Sequence, residues 1–330
     1  MLKIKDVFFD RNHTNAIKGI AILLVLLGHI GFIPHAGAYG VVLFLMLSGF
    51  GLVQSYLNSG LSKFFSKRLS KVIIPYAVIT IIWLFCFGHQ YIIDADYYKL
   101  IMLVLGMDLR SSLDPSMWYI SFLIVWYVVF YLIFSASSSI HTKIVLLFLF
   151  SVVIYQNAGI FPMPAGAALY VTAFPIGAAI GAVYNSVKEC KADKKILLSG
   201  FSFLSILSLL ASVYFYGRIS LSVFDYSSTN VSCAFLVIGV TSVLRTLHIK
   251  LDVFEFFGNI SYEMYLLEYM FLMKCLWLLM LLPEEYMKAI VFVVAVTFSA
   301  YVYKMLLFWG GTKIGLLTDK LKAMQLTLKS

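Results

Sequence analysis

The chain is poor in charge. Only 12% of its 330 residues are Asp, Glu, Lys or Arg, whereas 62% are hydrophobic and the mean hydropathy is +0.93. That balance excludes an ordinary soluble domain and points to an all-α integral membrane protein, since lipid leaves a spanning backbone no outside partner for its polar groups. Paired cysteines are also missing. Cys86, Cys190, Cys233 and Cys275 are scattered along the chain, which argues against a disulfide framework or a metal site and leaves packing thiols. No small-residue cleavage site follows the first apolar run, so that run is expected to remain as a first span. The sequence shows neither an internal repeat nor a low-complexity tract, and its loops leave no room for a second domain. A single transmembrane domain over 1–330 is the expectation.

Runs of about 20 apolar residues predict ten spans, near 16–33, 38–57, 72–93, 117–135, 143–160, 165–185, 195–217, 229–247, 258–282 and 287–309. With both termini in the cytosol, every basic residue except Lys99, Arg110, Arg218, Lys274 and Lys288 falls on the cytosolic side. This is the positive-inside bias, and it accounts for the net charge of +9 without a nucleic-acid partner. The predicted connections include a cytosolic amphipathic helix at 60–71, an acidic outer loop at 94–116 and a cytosolic tail at 310–330.

The informative stretch is Ile17–Ile33, IKGIAILLVLLGHIGFI. Lys18 and His29 are eleven residues apart, three helical turns plus about 20°, so they share a face about 16 Å apart along the axis. That places His29 near the bilayer midplane, where an ionisable group must be enclosed by protein or face a wet cavity. A histidine merely hydrogen-bonded in the core would satisfy the same constraint.

Four further stretches add to it. In LFLMLSGFG, Ser48 and Gly49 would let helices approach closely. In LSKFFSKRLSKVIIPY, Leu61, Phe64, Phe65, Leu69 and Val72 form an apolar stripe. Lys63, Lys67 and Lys71 lie opposite as a solvated row, and Arg68 sits within the stripe, pointing inward. An inward guanidinium suits a phosphate or carboxylate, or a structural ion pair. The aromatics of MWYISFLIVWYVVFYL read as an interfacial belt, with Trp118 also able to wall an outer pocket. In GNISYEMYLLE, Ser261, Tyr265 and Glu268 share a face, with Glu268 at about the depth inferred for His29. Glu268 is therefore either a protonated acid, one half of an ion pair, or a lining group of the His29 cavity.

These motifs, in this order and over essentially the whole chain, resemble the membrane-bound acyltransferase 3 family of bacterial O-acyltransferases. The matching residues are His29, Ser48-Gly49-Phe50, Lys67-Arg68, Lys71 and Pro75. Two positions depart from the pattern: Lys18 stands where the family has arginine, and Glu268 where it commonly has histidine. The resemblance implies a ten-helix bundle in the bacterial inner membrane that moves an acyl group, typically acetyl from cytosolic acetyl-CoA, onto a hydroxyl of a glycan or lipid-linked saccharide. It implies CoA phosphates near Lys18, Arg68 and Lys71 beside Ser48, with His29 as general base or acyl carrier; Glu268 is expected, from its depth and face alone, to assist His29. No metal is implied. A multi-span transporter or flippase of a small solute or lipid-linked sugar is the competing reading, since buried His and Glu also serve proton coupling.

Overall fold

The computed structural model describes residues 1–94, 96–108, 113–157 and 165–327. Residues 109–112 of the predicted outer loop, 158–160 of the fifth predicted span and 328–330 of the predicted tail lie outside them. The long helices are α1 (Arg11–His29), α2 (Ala36–Ser59), α3 (Phe64–Phe87), α4 (Trp118–Ser135), α5 (Ile140–Gln156), α6 (Ala173–Val187), α7 (Lys194–Tyr216) and α8 (Val223–Thr246). The short α9 (Asp252–Asn259) leads into α10 (Ser261–Leu279), and α11 (Glu285–Thr327) closes the chain. Each of the ten predicted spans overlaps one of these helices. Among the described residues, seven helices are long and apolar enough to cross a membrane. Of the remaining long ones, α5 has only 17 residues, α1 carries Arg11 and Lys18, and α10 carries Glu263, Glu268 and Lys274. The outward surface is apolar, with Phe85, Leu210 and Phe298 at 77%, 63% and 69% exposure, as a lipid-facing exterior requires.

Local chemistry sets the boundaries that matter. Asp10 caps α1 by accepting from the His13 amide at 2.6 Å, and α1 ends at His29, just before Gly31 at φ +78° and Pro34. His29 is thus the last residue of its helix, at the far end from the cap. The predicted span ran on to Ile33, whereas the helix stops four residues earlier. The predicted amphipathic helix is not separate from span three. Phe64–Arg68, a π turn over Leu69–Ile73 and Ile74–Phe87 run on as one helix. In that wide turn the Ile74 amide donates to Leu69 O, one residue further back than usual, immediately before Pro75 brings its ring and removes a donor.

Helices approach closely where side chains vanish. A Cβ on Gly177 of α6 would lie 1.8 Å from Met46 O of α2, and one on Gly49 would lie 2.1 Å from Phe174 O. Close packing is therefore what Gly49 does. Beside it, Trp126 of α4 stacks on Phe174, ring centroids 4.8 Å apart.

At one end of the bundle the basic segments meet. Leu2–Lys3 pairs antiparallel with Lys191–Ala192, and Glu189 bridges Lys5 at 2.8 Å and Lys3 at 3.3 Å. The bond from Lys5, followed by that from Lys3, holds the Glu189 carboxyl below its ordinary range. At the same end, Arg245 pairs with Asp10 at 2.6 Å.

Candidate active site

Two cavities lie end to end along α1 and α2. The larger, about 480 Å³, is lined by Lys18, Ser48, Lys67, Arg68, Lys71 and Tyr127, with Phe44, Leu47, Gly51, Leu52 and Ser55 completing its wall. The smaller, about 220 Å³, holds His29 and is walled chiefly by Trp118, Tyr119, Tyr170, Tyr226 and Tyr265. One stripe of α2 serves both: Gly37 and Val41 face the His29 cavity, and Phe44, Ser48, Gly51 and Ser55 face the cationic one. That spacing of three and four is a single helix face. Lys18 and His29 mark the two cavities on α1, about 16 Å apart at 1.5 Å per residue.

Between the cavities stands Tyr119. Its ring lies 6.4 Å from Phe44, which lines the larger cavity, and 5.4 Å from Tyr265, which lines the smaller.

All four sequence-predicted residues of the cationic mouth, Lys18, Ser48, Arg68 and Lys71, line the larger cavity. Lys67 joins them, against the expectation of a solvated row. The apolar stripe also differs from its reading. Phe64 and Val72 are buried, but Phe65 and Leu69 are 52% and 48% exposed on the outer surface. In lipid an apolar face can point outward, so the wheel alone does not say which side is in. The Arg68 guanidinium packs between Phe64 and Tyr127, 5.5 and 5.4 Å from their ring centroids. Its Nε is buried without a hydrogen-bond partner. Among the described residues no carboxylate pairs with Lys18, Lys67, Arg68 or Lys71. Four cations around one cavity without an acid fit a multiply charged anion.

In the second cavity His29 and Glu268 meet: Nδ1 lies 2.7 Å from Oε1. The Glu268 side chain is fully buried, whereas that of His29 is 32% exposed into the cavity. With Glu268 ionised the carboxylate only accepts, which places a proton on Nδ1; with Glu268 protonated the acid donates to Nδ1 instead. Nε2 faces Gly37, 3.9 Å from where a Cβ would stand there. On α10, Tyr265 lies one turn before Glu268 and donates its hydroxyl to Ser116 O. Ser116 is fixed in turn by Asp114, whose Oδ1 accepts from its amide at 2.8 Å and its hydroxyl at 2.7 Å.

Sequence reading missed Tyr119, Tyr127 and Lys67. The available signal was that Tyr127 sits in the middle of a span and that Lys67 belongs to the same basic motif as Arg68; Tyr119, at the start of its span, gave none. Trp118 does line the outer cavity, stacked on Tyr170 at 5.4 Å.

The bundle thus carries a cationic cavity and, beside it, an imidazole–carboxylate pair. The family model for the acyltransferase domain, acyltransferase 3, matches residues 13–309, and the chain belongs to that family of membrane acyltransferases. No curated protein and no solved structure gives a significant match.

Proposed function

We propose that the chain is an O-acyltransferase that moves an acyl group, acetyl first among them, from cytosolic acyl-CoA to a hydroxyl of a cell-surface or lipid-linked glycan. The observation that carries this is the His29–Glu268 pair at 2.7 Å in a cavity lying end to end with one walled by four unpaired cations. On this reading the bundle spans the bacterial cytoplasmic membrane ten times with both termini inside. The basic mouth opens to the cytosol, and Lys18, Lys67, Arg68 and Lys71 hold the donor's phosphates. The donor's thioester arm follows the α2 stripe past Phe44 and Tyr119 toward His29.

The acceptor hydroxyl then binds among the aromatic walls of the outer cavity. As its oxygen bonds to the acyl carbon, His29 Nε2 takes its proton, and the carbon–sulfur bond breaks as the proton passes to the leaving sulfur. Glu268 holds the imidazole in the reactive tautomer and stabilises the imidazolium that forms. The test is transfer of radiolabel from acetyl-CoA in proteoliposomes containing a glycan acceptor. Label on the glycan supports transfer, and solute flux without labelling would return the transport reading.

A further inference from the structure

A separate space of about 10 Å³ is lined by Tyr76, Thr80, Trp83, Leu103, Leu113, Asp114 and Met117. Two of its lining residues carry buried polar atoms of opposite character. Asp114 is 3% exposed, and its Oδ2, an acceptor, is buried without a hydrogen-bond partner. The indole Nε1 of Trp83, a donor, is likewise buried without one. Each such atom costs on the order of 1–3 kcal/mol if left unmet. Thr80, a third lining residue with a hydroxyl, is 3% exposed. A volume near 10–15 Å³ with two to four polar neighbours is what one buried water needs.

The other oxygen of Asp114 is committed. Oδ1 takes both bonds from Ser116, and Ser116 O takes the hydroxyl of Tyr265, three residues before Glu268. The start of α4 is thereby tied to the turn of α10 that carries the carboxylate facing His29. Asparagine and serine would serve equally well as a simple helix cap. What a cap leaves unexplained is the second oxygen, buried without a partner on a residue that lines a water-sized space together with Trp83.

We propose that Trp83, Thr80 and Asp114 form a binding site for a single buried water, and that Asp114, fixed from both sides, is a positioning residue that keeps Glu268 against His29. The water accepts from Trp83 Nε1–H and donates to Asp114 Oδ2 and Thr80 Oγ1. The second half of the inference rests on the acyl-transfer reading of the His29–Glu268 pair; the first half does not.

Two measurements on the full chain in nanodiscs test it. Trp83→Phe removes the donor, and Asp114→Ser keeps a capping oxygen while removing Oδ2. If they share one water, each single variant lowers Tm and the double variant falls no further than the worse single. Additive losses would overturn the water site. For positioning, Tyr265→Phe removes only the hydroxyl that reaches Ser116 and should lower kcat about tenfold to a hundredfold with donor KM unchanged. Asp114→Ala should do the same, with no further loss in the Asp114→Ala/Tyr265→Phe double variant. Asp114→Asn, which keeps both bonds from Ser116, should restore most of the turnover. Full kcat in Tyr265→Phe would overturn the positioning role even if Asp114→Ala fails to fold. Persistence of transfer in His29→Ala would remove the catalytic reading while leaving the Tm coupling intact.

Discussion

Arg68 gives the sharpest contrast among the cations. Its guanidinium is held between Phe64 and Tyr127 at 5.5 and 5.4 Å, and its Nε is buried and unpaired, so its orientation is fixed before any ligand arrives. A hydrogen bond to a charged partner is worth about 1.5–3 kcal/mol. At about 1.4 kcal/mol per factor of ten, Arg68→Ala should weaken CoA binding roughly 10- to 150-fold. Lys63, five residues earlier, is exposed at φ +55° and does not line the cavity, so Lys63→Ala should change affinity less than about twofold. Arg68→Lys should fall between them, because ammonium keeps the charge but loses the planar fork. The assay is calorimetric titration of CoA into the nanodisc-embedded protein at low and moderate salt. Equal losses in the Lys63 and Arg68 variants would refute the argument and reduce the site to a diffuse basic surface.

Glu268→Gln should lower turnover by about a hundredfold, within the usual range for general-base assistance, with little effect on CoA affinity. Glu268→His should retain partial activity; full turnover in the Gln variant would remove Glu268 from the site. Gly177→Ala should cost about 1–3 kcal/mol in stability by forcing α6 away from α2, since its Cβ would lie 1.8 Å from Met46 O. A thermal melt unchanged from wild type would contradict that packing.

The long helices and the meeting of His29 with Glu268 could be read in advance, because strong apolar runs and rare intramembrane ionisable groups are local signals. What the chain concealed was where helices stop and which side faces protein. α1 stops at His29 because Gly31 takes positive φ and Pro34 follows, which puts the imidazole at the end of its helix. The outward turn of Phe65 and Leu69 has a different origin: lipid accepts apolar side chains as readily as a core does, so hydrophobicity alone could not orient the wheel. Lys67 enters the cavity beside Arg68 in a helix that runs unbroken through a π turn, a feature set by Pro75 and by packing, not by propensity. Tyr119 and Tyr127 became visible as site residues only once α4 was seen packed across the α2 stripe.

The most direct measurement of the central claim compares wild type with His29→Ala in proteoliposomes supplied with radiolabelled acetyl-CoA and a glycan acceptor. The account predicts label on the glycan with wild type and a loss of at least about a hundredfold in His29→Ala, with CoA affinity and thermal stability unchanged. Transfer by His29→Ala within a few-fold of wild type would contradict it.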